Sequence, residues 1–443
     1  MKLDTKRTVL VGFAFLSICA FWQMYNSVIP LILTNTFHMS ETLSGVIMAA
    51  DNVLALFLLP LFGGLSDRCK SRMGRRKPFI LGGTLAAVVL MLLLPLLDDS
   101  YFNAPNTAKL AAFVAVLGCL LVAMGTYRSP AVALMPDVTP KPLRSKANAI
   151  INLMGAVGGI LYLVVASVLY SSARTAGKAH VSYLLLFAVV AGIMLLALAV
   201  LMFTIDEPAL CKKQAEYEAA HPEENLVTTD EAGNEQLPPQ VKRSLAFLLV
   251  SIALWFIGYN ALDTWFTTYA ARMWNMSLGA ASTCLTIATA GAIVSYIPVG
   301  VVASKIGRKK TILGGVVLLS GSFFMGYVYT LLSDQFHPVL YVLFAVVGLA
   351  WASINVNSLP MVVEMCKGSE VGKFTGYYYT FSMAAQTVTP ILAGWLMKHI
   401  SYQVLFPYAA FAVACAFVTM LFVRHGDSKV EAKTGLEAFD VED

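Results

Sequence analysis

Twelve apolar blocks, each about 20 residues long, follow one another along this chain of 443 residues. That is the length an α-helix needs to cross the hydrocarbon core of a bilayer. Helices of soluble proteins instead show apolar stripes at helical spacing. The composition agrees: 58% of the residues are hydrophobic and only 13% are charged, about half the charged fraction of a soluble domain. The sequence therefore predicts an all-α membrane protein.

The predicted spans form two groups of six, separated by a polar segment. The segment 205–243 is rich in Glu and Pro, which is typical of a solvated linker. We expect an N-terminal six-helix half (1–204), a cytoplasmic linker (205–243), a C-terminal six-helix half (244–424) and a cytoplasmic tail (425–443). The spans are 8–34, 43–66, 78–97, 108–136, 146–171, 181–204, 244–270, 278–303, 311–332, 338–365, 370–397 and 402–423.

The basic residues indicate the orientation. With a cytoplasmic N-terminus, the inner segments hold 25 of the 31 Lys and Arg residues and the outer segments hold five. The positive-inside rule then places both termini in the cytoplasm, and we expect a multi-pass protein of the cell membrane. The net charge of +5 reflects these loops, so no nucleic-acid partner is expected.

Corresponding segments of the two halves resemble each other. The loop after the second span, Gly64–Pro78, and the loop after the eighth, Gly300–Lys310, are both short, basic and begin with glycine. Spans four and ten each end at the inner surface in a carboxylate, Asp137 and Glu364 respectively. These parallels indicate two related halves.

A carboxylate beside an arginine cluster can form bidentate ion pairs. We expect such pairs to form a cytoplasmic latch in the first half, with a weaker counterpart in the second, and to bias a rocking motion. A single basic loop is more often only a topology signal, and that alternative stays open. The candidate gate residues are Asp67, Arg68, Arg75, Arg76, Asp137, Arg144, Lys305, Arg308 and Glu364.

The loop between spans two and three also carries a family resemblance. Gly63-x-x-x-Asp67-Arg68 followed by Gly74-Arg75-Arg76 resembles the signature of the major facilitator superfamily. The stretches 60–80, 129–137 and 144–149 are similar to the same segments of plant sucrose–proton symporters, within the glycoside-pentoside-hexuronide cation symporters. The resemblance implies the major facilitator fold of two pseudo-symmetric halves. It also implies proton-coupled symport of a glycoside or small oligosaccharide such as sucrose or maltose.

Two positions depart from the melibiose-type members of that group. Those members resemble this chain around Pro60 and Pro130 but have acidic residues just before these prolines, where Leu59 and Arg128 stand here. A sodium site of that type is therefore not expected, and the proton is the expected coupling ion.

Ionisable residues inside spans are functional candidates by default, because charge is costly there. Asp51 and Arg128 each lie about 13 Å inside the bilayer at 1.5 Å per residue, so a static buried pair between them and a proton-linked switch both stay open. Asp263, nearer the outside, has no obvious partner in the sequence and is the rival proton carrier.

Uncharged polar and aromatic residues supply the candidate sugar contacts, although each of them alone more often stabilises the packing of one helix on another. Together they suit hydroxyl-rich ligands, which need amide groups and aromatic faces. The substrate-binding candidates are Trp22, Gln23, Tyr25, Asn26, Asn52, Arg128, Asn152, Tyr259, Asn260, Asn355, Asn357, Tyr378 and Gln386.

Other functions remain as alternatives. The chain could export or exchange another small polar metabolite, because the sequence indicates the polarity of the cavity better than the direction of flux. A membrane enzyme or sensor is disfavoured, since no nucleophile and base pair, metal motif or phosphate loop is present. We expect no catalytic residues, no cofactor and no metal, since the histidines near the outer ends, such as His180, lack ligand spacing. A monomer is expected.

Overall fold

A computed structural model describes residues 4–139, 144–175, 177–220, 238–365 and 371–427, and every regular element in them is helical. The predicted linker and tail therefore lie partly outside the described residues. The side chain of the candidate gate residue Arg144 also lies outside them.

Fourteen helices are described in these residues. They are α1 (Thr5–Leu31, continued by a π-helical turn, Ile32–Thr36), α2 (Glu41–Asp67), α3 (Lys77–Asn103), α4 (Thr107–Val138), α5 (Arg144–Leu169), the single turn α6 (Ser172–Thr175), α7 (Leu184–Thr204), α8 (Glu207–Ala220), α9 (Pro239–Met273), α10 (Leu278–Ile306), α11 (Arg308–Leu332), α12 (Val339–Val363), α13 (Val371–His399) and α14 (Leu405–Leu421).

Local chemistry explains where several of these helices begin. The side chains of Asp4 and Asn106 accept hydrogen bonds from the backbone N–H groups of Arg7 and Ala108, which caps α1 and α4. Gly307 separates α10 from α11 with φ of 95°, a conformation that glycine adopts without a Cβ clash. The turn that bends the chain back is therefore built into the sequence.

Twelve of the described helices are long enough to cross a membrane. Eleven of them also have the apolar composition of a span, which confirms the predicted multi-pass membrane protein. The twelfth, α13, is not in that group, and its described residues include Tyr378, Ser382 and Gln386.

The chain forms two compact units. The first comprises Met1–Met39 and Ala50–Asn225, and the second comprises Ser40–Ala49 and Leu226–Asp443. The start of α2 thus packs with the second unit. A Cβ on Gly45 would lie 2.2 Å from the carbonyl oxygen of Pro390, so only glycine permits this approach.

In the first unit, α1 packs on α5 and α3 packs on α4. A Cβ on Gly158 of α5 would lie 2.0 Å from the carbonyl oxygen of Leu16 in α1. Small residues at such crossings let membrane helices approach closely, because lipid provides little hydrophobic drive for association.

The second unit has an aromatic core. Trp255, Trp265, Phe266 and Tyr269 of α9, together with Trp274, are fully buried. The Trp265 indole donates a hydrogen bond to the Pro390 carbonyl oxygen (3.2 Å). Large rings bury much area while their N–H groups need a partner, so this bond orients α9 against α13.

Part of the predicted solvated linker is helical. α8 begins at Glu207, directly after α7, and the side chain of Glu207 is buried, with 1% exposure. The composition of 205–243 predicts solvation, but it does not reveal that one carboxylate is held by the backbone of another segment.

Candidate functional site

One small cavity of about 10 Å³, close to the space that a single water molecule needs, lies in the first unit between α1, α2 and α4. Trp22, Asp51 and Arg128 supply its polar groups, and the other lining residues are Leu54, Ala55, Leu58, Leu59, Leu121 and Gly125. The structure thus brings together three residues that the sequence singles out from three separate helices.

Two buried polar atoms in this cavity lack a hydrogen-bond partner among the described residues. They are the indole nitrogen Nε1 of Trp22 and the carboxylate oxygen Oδ1 of Asp51. Orphaned buried polar atoms are rare in native proteins, and each calls for an explanation such as a ligand or a catalytic role. One donor and one acceptor therefore belong to residues that line a small, mostly apolar cavity.

Arg128 does not form the direct pair with Asp51 that the sequence left open. The two residues interact electrostatically, but they form no ion pair within 4.0 Å, although both lie in the described part of the chain. The Arg128 guanidinium instead lies over the Trp22 ring, 5.8 Å from its centroid, which is cation–π geometry.

The remaining candidates of the first unit lie on the same helices and on α5. Tyr25 is fully buried, packs edge-on against Trp22 at 5.4 Å and interacts electrostatically with Asp51. Gln23, Asn26, Asn52 and Asn152 are half-buried.

A second cavity, of about 30 Å³, lies in the second unit. Tyr259 and Asp263 line it together with Ser322 and apolar residues of α9 to α12 and α14. Asp263 interacts electrostatically with Tyr259, one turn away. The rival proton carrier therefore shares this cavity with Tyr259, the residue one turn before it in the sequence.

Aromatic rings cluster near this cavity. Tyr259 stacks on Trp351 with ring centroids 3.8 Å apart and planes at 10°. Phe256 meets Trp351 edge-on at 5.3 Å, and Tyr378 lies 6.2 Å from Phe256. Sequence reasoning missed Trp351, although a tryptophan between two alanines within a span is a visible signal.

Several polar candidates of the second unit are satisfied by their own helices. The side-chain amides of Asn260 and Asn357 donate to the carbonyl oxygens of Phe256 (2.8 Å) and Ser353 (3.0 Å). Tyr378 and Ser358 place their hydroxyl oxygens 3.4 Å apart, and Asn355 and Gln386 are half-buried.

An ion-pair network joins α2, α3 and α4 at the basic loop of the first unit. Arg75 forms a bidentate ion pair with Asp137, in which the Nη2–Oδ1 distance is 2.6 Å and the Nε–Oδ2 distance is 3.1 Å. Arg76, whose side chain is only 6% exposed, contacts Asp137 (Nε–Oδ2 2.8 Å) and also bonds Asp67. Four predicted gate residues thus meet in one network, while Arg68 is exposed.

Glu207 also holds this network, and sequence reasoning missed it. Its carboxylate accepts hydrogen bonds from the backbone N–H groups of Arg75 (2.8 Å), Arg76 (2.9 Å) and Lys77 (3.0 Å). An acidic residue at the start of α3 also suits the helix dipole. The signal was an acid directly before Pro208, which is typical of a helix start.

Cys211 lies on the inner face of α8, where its thiol contacts the Asp137 carbonyl oxygen (3.6 Å). Burial raises the pKa of this thiol, and the Glu207 and Asp137 carboxylates raise it further. The pKa of this thiol therefore depends on the charged groups of the network beside it.

The second unit has a smaller counterpart. Arg308 bonds the Glu364 carboxylate, and the backbone N–H of Lys309 donates to Asp427 Oδ1 at 3.2 Å. Lys305, the other predicted gate residue, is exposed.

Comparison with known proteins agrees with this architecture. The family model described as Major Facilitator Superfamily matches residues 11–277 and 269–441, which together cover nearly all of the chain.

Curated relatives confirm the resemblance that the loop sequences indicate. A sucrose transport protein of Arabidopsis thaliana is 31% identical over 138 residues, which is 28% of this chain and 23% of that protein. A second one from Arabidopsis thaliana is 35% identical over 126 residues, 27% of this chain and 25% of that protein. The chain thus spans about a quarter of the length of the curated relatives it matches.

Solved structures show the same fold. A bacterial homologue of human drug peptide transporters has a TM-score of 0.67 at 15% identity, covering 95% of this chain and 98% of that one. A nucleoside transporter has a TM-score of 0.66 at 13% identity, covering 95% and 100%.

Proposed function

Since the chain belongs to the major facilitator superfamily, we propose that it is a secondary active transporter that carries a sugar together with a proton by alternating access. The substrate class is a glycoside or small oligosaccharide such as sucrose or maltose. The sucrose transport proteins that match over 138 and 126 residues support this class.

One observation carries the proposal. In the cavity of the first unit, the Trp22 indole N–H and Asp51 Oδ1 are buried without hydrogen-bond partners among the described residues, beside the Arg128 guanidinium. A sugar hydroxyl is both donor and acceptor, so it can satisfy the indole or the carboxylate. The apolar face of a sugar ring suits the aromatic side chain.

Asp51 also suits a role in proton coupling. A buried carboxylate that does not contact its nearest cation is costly, and a bound proton removes that charge. A sugar that engages Arg128 then changes the electrostatic partner of Asp51. Sugar and proton binding become linked in this way.

Asp263 remains the rival proton carrier. It lies in the cavity of the second unit with Tyr259, and we rank the two carboxylates equally. Proton symport is favoured over sodium symport because Leu59 and Arg128 stand where melibiose-type members have acids.

The two ion-pair networks are proposed as cytoplasmic gates, one in each unit. Arg75 and Arg76 with Asp67 and Asp137, and Arg308 with Glu364, are close enough to form and break pairs as each unit moves. Arg68, Arg144 and Lys305 belong to the same basic loops. In this proposal the protein works as a monomer in the cell membrane, with both termini inside.

An exporter or exchanger of another small polar metabolite is the alternative. It stays open because the sequence indicates the polarity of the cavity better than the direction of flux.

The test is uptake of radiolabelled sucrose and maltose into proteoliposomes, with and without an inward proton gradient. The proposal expects the gradient to drive sugar accumulation above the external concentration. Gradient-independent uptake would contradict proton coupling, and absence of uptake for every sugar tested would contradict the substrate class.

A further inference from the structure

Three ionisable side chains meet where α3 ends, at the opposite end of that helix from the basic loop. His180 Nε2 lies 2.8 Å from Asp99 Oδ1 and 3.6 Å from Asp98 Oδ2. One ligand atom from each of the three residues can be chosen so that all lie within 4.8 Å of one another. His180 is 81 positions from Asp99 in the sequence, so no ligand spacing revealed the cluster.

The distances suit a tetrahedral ion. Ligand atoms bonded to zinc at 2.0–2.1 Å are separated by about 3.3 Å. The two measured separations, 2.8 and 3.6 Å, lie on either side of this value. The two pairs that include His180 therefore need shifts of only a few tenths of an ångström around a metal ion, and the two carboxylate oxygens lie within 4.8 Å of each other.

Asp98 gives an independent indication of a ligand. Its side chain is fully buried, with 0% exposure, and neither carboxylate oxygen has a hydrogen-bond partner among the described residues. Its polar neighbours are Thr36 and His180. The Thr36 hydroxyl is a potential donor beside this carboxylate, yet neither oxygen forms a hydrogen bond of normal geometry, and such a buried group calls for an explanation such as an ion. Its Oδ2 lies 3.6 Å from His180 Nε2.

The other two ligands are held in place by their surroundings. The Ser182 hydroxyl donates to Asp99 Oδ2 at 2.6 Å, which leaves Oδ1 on the side of His180. The His180 ring stacks on Phe102 with centroids 4.4 Å apart and planes at 13°. Such supporting contacts orient the ligands of metal sites.

We propose that Asp98, Asp99 and His180 form a binding site for a divalent transition metal ion, with zinc the best fit. One imidazole and two carboxylates are ligands that zinc accepts, and water completes four-fold coordination. The two carboxylates balance the charge of the ion. The bound metal links the end of α3 to the segment that precedes α7.

The test is zinc binding to the purified full-length protein in detergent, after removal of metal with a chelator. Titration calorimetry should give one zinc ion per chain. His180→Ala and Asp99→Asn should each weaken binding at least tenfold. The matched control is His337→Ala, a histidine of the second unit that packs near Tyr329 and should bind zinc as the wild type does.

Thermal unfolding shows whether a variant that fails to bind zinc is still folded. Zinc should raise the Tm of the wild type and of His337→Ala, and it should leave the Tm of Asp98→Asn unchanged. The neutral amide fits the buried position, so that variant should still elute as a monodisperse peak. If the wild type binds no zinc, or if His180→Ala binds it with wild-type affinity, the site does not exist. Neither measurement requires transport, so it tests the zinc site whether or not the protein carries a sugar.

Discussion

Arg75 and Asp137 form a bidentate ion pair between the loop before α3 and the end of α4, with Nη2–Oδ1 of 2.6 Å and Nε–Oδ2 of 3.1 Å. The same carboxylate also binds Arg76, whose side chain is buried. One residue thus compensates two guanidinium groups. Its loss affects both the stability of the first unit and the proposed inner gate.

Asp137→Asn should lower both stability and transport. The amide removes one of the two carboxylates that pair with the buried Arg76, and charge-assisted hydrogen bonds contribute about 1.5–3 kcal/mol each. We expect a clear fall in Tm and at least a tenfold loss of sugar uptake. The control is Lys212→Ala, which removes a pair with Glu216 whose side chains are 80% and 66% exposed and should change little. Equal effects of the two variants would argue against the network.

Glu207→Gln should loosen α8 from the start of α3. In the wild type, the Glu207 carboxylate accepts hydrogen bonds from three backbone N–H groups. A glutamine replaces one of the two oxygens by an NH₂ group, which cannot accept, so at least one backbone N–H loses its partner. Limited proteolysis should cut near α8 faster in this variant than in the wild type. Glu216→Gln, at an exposed position of the same helix, is the matched control. Unchanged proteolysis in Glu207→Gln would show that the backbone contacts do not hold the helix.

Cys211 should react with maleimide more slowly at neutral pH than an ordinary thiol does. Burial raises its pKa above the usual value, and only the thiolate is reactive. The rate at which maleimide labels Cys211 should therefore keep rising with pH above about pH 8.5. Labelling of a variant that retains only Cys211, followed by mass spectrometry across pH, measures this. A plateau already reached at pH 8 would contradict the raised pKa.

The two candidate proton carriers can be separated by substitution. Whichever of Asp51→Asn and Asp263→Asn removes the carrier should still exchange labelled for unlabelled sugar, but it should no longer concentrate sugar. The other variant should retain accumulation. Counterflow and gradient-driven uptake in the same proteoliposomes distinguish the two behaviours. Normal accumulation by both variants would show that neither carboxylate carries the proton.

Much of the architecture was predictable because membrane spans leave a strong signal in sequence. Apolar length locates the helices, and the basic loops identify Arg75, Arg76 and Asp137, which the structure brings together. The loop sequence that resembles the major facilitator superfamily also predicts the fold.

Other features depend on contacts between distant segments, which periodicity does not report. Glu207 lies in a segment whose composition predicts solvent, yet the backbone of residues 75–77 surrounds its carboxylate. His180 meets Asp98 and Asp99 only through packing of the helix ends. Arg128 lies over Trp22 rather than against Asp51, because a long side chain has several partners within reach.

The most direct test of the central claim is sugar-induced proton movement in proteoliposomes that contain a pH-sensitive dye. Adding sucrose or maltose outside, with no imposed gradient, should acidify the lumen with the wild-type protein, because each sugar enters with a proton. Protein-free liposomes should show no change. Entry of labelled sugar without any acidification would contradict proton-coupled symport.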